Sequence, residues 1–199
     1  MAAIATSADG GYVFLALENE SGQPIIVKAS RDDLSAFSPA YNPAAGTAGN
    51  VASVQANADQ MLFYGNFGSG VQVVLHTVST GANTNISPGG LTTLVANCLA
   101  VNPSDPDEIW ITVNNGASSS LRRTLDAGAT WEIMAALGFE PTALAITWQS
   151  DYSLDRVVVA GHTTTTELRY SPNEGAALAD YAGAGLGAAA NIVGVQMIP

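Results

Sequence analysis

Residues 124–131, TLDAGATW, combine a hydroxyl residue, an Asp, a Gly and a Thr-Trp pair within one short run. An Asp carboxylate can accept backbone N–H groups of its own turn, and Gly adopts backbone angles that other residues resist. A Trp at the end of the turn is a large apolar side chain that can fill the space between sheets. The run therefore predicts a structural turn, remote from any binding surface, built on Thr124, Asp126, Gly128, Thr130 and Trp131.

Strand-like apolar blocks recur about every 48 residues, which is within the range of propeller-type repeats. The blocks are YVFLAL from Tyr12, MLFYG from Met61, IWITV from Ile109 and VVVAG from Val157. Each lies between further apolar segments, so each copy supplies four short strands. The predicted repeats are 1–46, 47–92, 93–140 and 141–188, in one domain.

Three related turns follow the third segment of the other copies. Their matching residues are Ser30, Asp32 and Phe37; Ser79 and Ile86; and Ser171, Asn173, Gly175 and Leu178. We expect Phe37, Ile86 and Leu178 to pack between sheets as Trp131 does. Four turns in register with an independent strand repeat predict a single repeated architecture.

These turns resemble the Asp-box, or BNR, repeat of sialidase-like, sortilin-like and xyloglucanase-like β-propellers. The pattern Ser/Thr-x-Asp-x-Gly-x-Thr-Trp is complete only at residues 124–131. The resemblance implies an all-β, propeller-like array of about four four-stranded antiparallel blades, in which the box joins the third and fourth strands of a blade.

Composition limits the partners. Hydrophobic residues make up 47% of the chain and charged residues 12%, and the net charge is −11, with Lys28 the only lysine. A phosphate backbone or an anionic membrane surface would be repelled, so neither nucleic acid nor membrane is an expected partner. A glycan or another protein is compatible with this charge. Cys98 lies in the apolar run LVANCLAV, which predicts a small buried side chain.

Targeting segments are not expected. The first residues lack a basic region and are interrupted at Asp9, and no run of 18 apolar residues occurs. Asp-box propellers are usually extracellular, and a virus particle is the other compartment that fits a chain with no export signal. We therefore expect a virion or extracellular protein.

Candidate chemistry is sparse. The acidic turn Asp105-Pro-Asp107-Glu108 lacks calcium-loop spacing, and His76 and His162 fall in different copies without clustered ligands. These patterns predict a solvated hairpin turn, no metal and no cofactor. Strand aromatics are expected to serve core or inter-blade packing; they are Tyr12, Phe14, Phe63, Tyr64 and Trp110.

A sialidase needs an arginine cluster together with Tyr, Glu and Asp groups for the chemistry. Here four of the five arginines lie beside the boxes, the wrong end of a blade for an active site, and the family's Arg-Ile-Pro motif is absent. We therefore expect no enzyme activity. The arginines beside the boxes are Arg31, Arg122, Arg123 and Arg169.

An extra strand-like segment, residues 189–199, follows the fourth copy and carries no charge. It could close the first blade, pair with a neighbouring chain, or begin a further blade of a longer propeller. We expect residues 190–199 to form a strand that supports self-association or a larger assembly.

The predicted function is a non-enzymatic structural or interaction propeller, such as a phage-particle component that assembles with copies of itself or other structural proteins. The alternative is a partial or degenerate glycan-binding or glycoside-hydrolase propeller.

Overall fold

The computed structural model describes sixteen strands and the turns between many of them. The described residues are 3–6, 10–18, 24–42, 52–57, 59–66, 71–89, 99–102, 104–113, 118–148, 156–162, 166–171, 175 and 177–180. Cys98, Asn173 and the segment 189–199 lie outside these ranges, so what was predicted for them stays a prediction.

The strands form four antiparallel sheets, each made of four strands in chain order. The first sheet contains β1 (Ala3–Thr6), β2 (Tyr12–Glu18), β3 (Pro24–Ser30) and β4 (Asp33–Tyr41). The second contains β5 (Ala52–Asn57), β6 (Gln60–Asn66), β7 (Val71–Thr77) and β8 (Asn83–Asn85). The third contains β9 (Leu99–Val101), β10 (Ile109–Val113), β11 (Ser120–Thr124) and β12 (Glu132–Ala136). The fourth contains β13 (Glu140–Thr147), β14 (Arg156–His162), β15 (Thr166–Ser171) and β16 (Ala179–Asp180). The predicted all-β class is confirmed.

Strand β10 shows how the sequence selects these elements. Its residues IWITV are apolar except for Thr112, and all five are buried. Strand β10 lies inside its sheet, paired with β9 on one side and β11 on the other. Strand β12 at the sheet edge is exposed or half-buried throughout. A run without alternation therefore marks an interior strand covered on both faces.

The chain divides into two compact units, residues 1–89 and 90–199. In the first unit, a buried cluster joins the first and second sheets through Phe14 and Phe63, whose ring centroids lie 5.8 Å apart. Both phenyl rings are fully buried. The expected packing role of these two aromatics is confirmed.

The second unit has its own core, centred on Trp110 of the third sheet and Val157 and Val159 of the fourth. The Trp110 indole is fully buried, and its Nε1–H donates to Glu108 Oε1 at 2.8 Å. That bond satisfies the one polar atom of the ring, so the indole is buried without an orphaned donor. The packing role expected of Trp110 is confirmed.

Gly175, in the turn between β15 and β16, is pressed against this core. Its φ is +73°, and a Cβ at this position would lie 2.9 Å from Leu121 Cδ2 and 3.1 Å from Trp110 Cζ3. Both the backbone angle and the space therefore require glycine. The turn of the fourth sheet thus packs directly on side chains of the third.

Gly175→Ala tests this packing, with Gly138→Ala as the matched control. Gly138 has a φ of +69° in the same unit, and nothing lies within 4 Å of its would-be Cβ. Both variants carry the left-handed backbone penalty, but only the first also overpacks the core. Gly175→Ala should lower the free energy of unfolding by about 1–3 kcal/mol more than Gly138→Ala does in urea melts. Equal losses would contradict the packing assignment.

Candidate functional site

The turn after β11, residues 124–131, is the full version of the motif and is called the box turn here. The Asp126 carboxylate accepts the Thr124 Oγ1–H at 2.7 Å, the Thr130 N–H at 2.8 Å and the Thr130 Oγ1–H at 2.6 Å. Thr124 Oγ1 in turn accepts the Gly128 N–H at 2.9 Å, where Gly128 has a φ of +90°. Thr124, Asp126, Gly128 and Thr130 of the motif therefore all serve the turn itself.

These bonds also set the charge state of Asp126. Hydrogen bonds from the hydroxyls of Thr124 and Thr130, and then from backbone N–H groups, hold the pKa of Asp126 at about 2, below its usual 3.8. The carboxylate is exposed to solvent, but its oxygens are hydrogen-bonded within its own turn. A carboxylate held so firmly in its anionic form suits turn stabilisation and not proton transfer near neutral pH.

The turn after β15 reproduces this geometry. Ser171 Oγ accepts the Gly175 N–H at 3.1 Å, as Thr124 does from Gly128. Each turn is closed by a pair of residues on its two strands, Arg123 with Glu132 and Tyr170 with Ala179. The two residues of each pair are the same number of positions apart in the sequence. The third and fourth sheets therefore carry equivalent turns.

The second sheet departs from the predicted alignment. Its turn is closed by His76 and Asn83, two residues shorter than in the third sheet. Gly81, with a φ of +71°, donates its N–H to Thr77 O at 2.8 Å, so Thr77 and not Ser79 is the first residue of this turn. The predicted register is wrong by two residues, because side-chain types alone did not reveal the shorter turn.

Ser79 then stands where Asp126 stands in the third sheet, and another residue supplies the carboxylate. Asp59, in the turn between β5 and β6, accepts the Ser79 N–H and the Ser79 Oγ–H, both at 2.7 Å. Ile86 further along is buried as expected. The carboxylate that orders this turn comes from a neighbouring hairpin.

The first sheet has no such turn at all. Ser30 pairs directly with Asp33 across a two-residue turn, so no box of eight residues fits here. Among the described residues the Asp32 carboxylate contacts only the exposed Arg31 guanidinium, at 3.4 Å, whereas Asp33 Oδ1 accepts the Ser35 N–H at 3.0 Å. The prediction of a box at Ser30 and Asp32 is therefore wrong. In this turn it is Asp33 that binds its neighbours, and hydrogen bonds from Ser35 lower its pKa.

The apolar residues that end the motifs have different surroundings in the four sheets. Leu178 packs against the core of the second unit, as predicted. Phe37 is 42% exposed on strand β4, so its expected inter-sheet position is wrong; the short turn places it on an edge strand. Trp131 is only half-buried, and the space between sheets in its unit is filled by Trp110.

A recurrent backbone bond links the turn between the third and fourth strands to the first hairpin in the first, second and third sheets. Ala127 N–H donates to Asp107 O at 3.0 Å, Val78 N–H to Asp59 O at 2.8 Å, and Arg31 N–H to Gly11 O at 2.9 Å. The acidic turn 105–108 therefore belongs to the structural end of its sheet. Two of its carboxylates are hydrogen-bonded: Asp105 accepts the Asp107 N–H, and Glu108 accepts Trp110 Nε1–H and Asn102 Nδ2–H.

Metal-binding groups do not converge in the described ranges. No group of three or more His, Cys, Asp or Glu residues there could hold a metal ion. Arg123 lies over the Trp110 ring and 3.1 Å from Glu132, and Arg169 lies over the Phe139 ring. His76 is buried, while for His162 the structure describes only the strand. Among the described residues, no helix is long and apolar enough to cross a membrane.

The exposed edges of the sheets carry apolar side chains, of which Leu34 and Ile133 belong to no motif in the sequence. On β4, Leu34 is 55% exposed beside Phe37, and on β12, Ile133 is 61% exposed. Residues 34–41 carry no charge, which is the signal that could have identified this edge. Lys28, the only lysine, lies on the inner strand β3, where its ammonium donates to Val78 O at 3.1 Å.

Comparison with known proteins supports the fold. No protein-family model and no curated protein sequence matches the chain. Among solved structures, the chain is similar to a GH74 enzyme from Niastella koreensis, with a TM-score of 0.65 and 17% identity over 89% of this chain and 24% of that one. It is also similar to a putative TolB from Agrobacterium tumefaciens (TM-score 0.59, 11% identity, 89% of this chain and 63% of that one). TolB from Acinetobacter baumannii gives a TM-score of 0.54 with 16% identity over 87% of this chain and 41% of that one.

These neighbours are β-propellers, and the predicted β-propeller-like array of four-stranded blades is confirmed. The chain spans less than two thirds of the length of each of these structures. At such low identity the likeness defines the fold class and nothing finer.

Asp126→Asn tests the electrostatic role of the box turn. Because the pKa of Asp126 is lowered on folding, its contribution to stability is present above pH 3.8 and is lost as the pH falls toward 2. Between pH 6 and pH 2.5, the urea midpoint of unfolding should therefore fall further in the wild type than in Asp126→Asn.

Asp32→Asn is the control, since that carboxylate contacts only Arg31. It should keep the wild-type pH dependence. The same acid loss in the wild type and in Asp126→Asn would refute the assignment.

Proposed function

We propose that this chain is a non-enzymatic structural or interaction propeller of the Asp-box repeat type, which assembles with copies of itself or with other structural proteins. The observation that carries the proposal is the exposed apolar edge of β4, with Leu34 and Phe37 on a strand whose residues 34–41 have no charge. Natural edge strands are usually protected by lysines, and the only lysine here lies on β3.

Pro39 and two register shifts interrupt the pairing of β4 with β3. These features limit regular strand addition along the whole edge, yet the apolar side chains stay exposed. The edge therefore favours packing against another protein surface as well as strand pairing. Strand β12, with Ile133, offers a second edge of the same kind in the other unit.

The absence of enzyme activity is part of this proposal and is supported by how the polar groups are used. The Asp126 carboxylate is bound within its turn, and the Glu108 carboxylate is buried and bonded to Trp110 and Asn102. These groups support the fold and are not aimed at a common point from which a substrate could be attacked.

The Asp-box assignment rests on the matching bonds of the third and fourth sheets. In both turns a glycine N–H donates to the hydroxyl of the residue four positions earlier, Gly128 to Thr124 and Gly175 to Ser171. A virion or extracellular location remains part of the proposal, by analogy with Asp-box propellers and with particle proteins that make many subunit contacts.

The alternative function is a partial or degenerate glycan-binding or glycoside-hydrolase propeller. The similarity to the GH74 enzyme favours this alternative, although the matched region is 24% of that enzyme's chain. A glycan array combined with a hydrolysis screen separates the two functions. Sugar binding at micromolar strength, or turnover, would favour the alternative over assembly.

Replacing both apolar side chains of the edge, as Leu34→Lys with Phe37→Lys, should abolish self-association. Lysine ammonium groups would have to lose their hydration to enter an interface, which is costly without partners. Light scattering across a concentration series should show assemblies for the wild type and monomers for the double variant.

Leu125→Lys is the matched control, because Leu125 is equally exposed but lies in the box turn and not on an edge. It should assemble as the wild type does. A wild type that is monomeric at all concentrations and binds no protein partner would contradict the proposal.

The segment 190–199 is the second element of the proposal and lies outside the described residues. Deleting it and measuring mass by light scattering distinguishes the three roles considered for it. An oligomer lost on deletion supports pairing between chains, whereas a stable monomer that unfolds on deletion means that the segment closes its own sheet. Equally stable monomers with and without the segment would show that it has neither role.

A further inference from the structure

His76, on β7, occupies the core of the first unit and not its surface. Its side chain is 0% exposed. The imidazole stacks on Phe63 of the second sheet, with 5.2 Å between ring centroids, and meets Phe14 of the first sheet edge-on at 5.9 Å. A titratable ring therefore lies where these two sheets pack against each other.

The hydrogen bonds around His76 define its protonation. Asn83 Nδ2 donates to Ala40 O at 3.2 Å and to Gly81 O at 3.3 Å, so Asn83 Oδ1 must be the acceptor of this amide. The His76 Nδ1–H donates to that oxygen at 2.9 Å. Nδ1 therefore carries a proton, and in the neutral ring Nε2 carries the lone pair.

Nε2 is buried, and within the described part of the chain no group makes a hydrogen bond to it. Protonation would place an N–H donor and a positive charge at this position with no acceptor to receive them. Burying a donor without a partner is costly, and burying an unpaired charge is more so. The neutral ring fits this site and the imidazolium does not.

The charged groups around His76 act on its protonation in opposite directions. The positive charge of Lys28 on β3 disfavours protonation of His76, whereas Asp59 in the β5–β6 turn and the hydrogen bond to Asn83 favour it. Tyr12 on β2 lies under the Lys28 ammonium, and Tyr41 on β4 stacks on Phe63, with its pKa raised by burial. Burial is the largest influence on His76 and holds its pKa below the usual 6.5.

We propose that His76 is an acid-sensitive lock of the first unit: its neutral ring joins the first and second sheets, and its protonation below neutral pH loosens their packing. The lock has two parts, the stack on Phe14 and Phe63 and the bond to Asn83, which is itself anchored on Ala40 of the first sheet. This regulation goes beyond the proposed assembly function and does not depend on it.

The sign of the pH dependence follows from linkage. Because the folded pKa of His76 is lowered, the stability that the neutral ring contributes is fully present above pH 6.5. It is lost as the pH falls from 6.5 through the folded pKa. The loss of stability affects residues 1–89, the unit that contains His76. The three tryptophans, Trp110, Trp131 and Trp148, all lie in the other unit.

The test compares urea unfolding of the full chain at pH 7.5 and pH 5.0 by far-ultraviolet circular dichroism. The wild type should lose midpoint concentration at pH 5.0, and His76→Phe, which keeps an aromatic ring that cannot titrate, should not. His162→Gln is the control for the other histidine and should behave as the wild type does. An equal acid loss in the wild type and in His76→Phe would overturn the proposal.

If His76→Phe does not fold, a histidine-ring NMR titration of the wild type decides the matter, with His162→Gln used for assignment. A pKa for His76 below 6.5, with the proton on Nδ1 at neutral pH, supports the lock. A pKa at or above 6.5, or a proton on Nε2 at neutral pH, overturns it.

Discussion

Packing of one small sheet against the next is the interaction on which the rest of this structure depends. A four-stranded sheet cannot enclose a core alone, so each buries its apolar face against a neighbour. In the first unit the contact is made by Phe14 and Phe63, and in the second by Trp110 with Val157 and Val159. The absence of a side chain at Gly175 allows the turn of one sheet to reach the indole of another.

The turns between third and fourth strands show how local bonds support that packing without determining it. In the box turn, Asp126 and Thr124 satisfy the N–H groups of their own loop. Where the box is shortened, Asp59 reaches Ser79 from a separate hairpin, and where it is lost, Asp33 binds Ser35. The requirement that turn amides find acceptors is constant, whereas the residue that supplies the acceptor varies.

The function proposed for this protein rests on its surfaces more than on reactive groups. Among the described residues, carboxylates such as that of Asp126 are bound within turns, and Arg123 and Arg169 lie over aromatic rings. Apolar residues remain exposed at the edges β4 and β12. An acidic chain with few charges on these edges can contact another subunit there without a large desolvation cost, which is the physical basis of the assembly proposal.

The sequence by itself determined the strand repeat, the all-β class and the box turn at residues 124–131, because alternation, short apolar runs and turn chemistry are local properties. The packing roles of Phe14, Phe63 and Trp110 were also predictable, since large aromatics on strands of a repeat are rarely left in water. The register of the second turn, the loss of the first and the exposure of Phe37 were not. They depend on which strand lies at a sheet edge and how many residues the closing pair leaves between strands, as Ser30 with Asp33 shows. The burial of His76 was likewise decided only by the tertiary structure, because the first and second sheets had to pack together before Phe14 could cover a ring on β7.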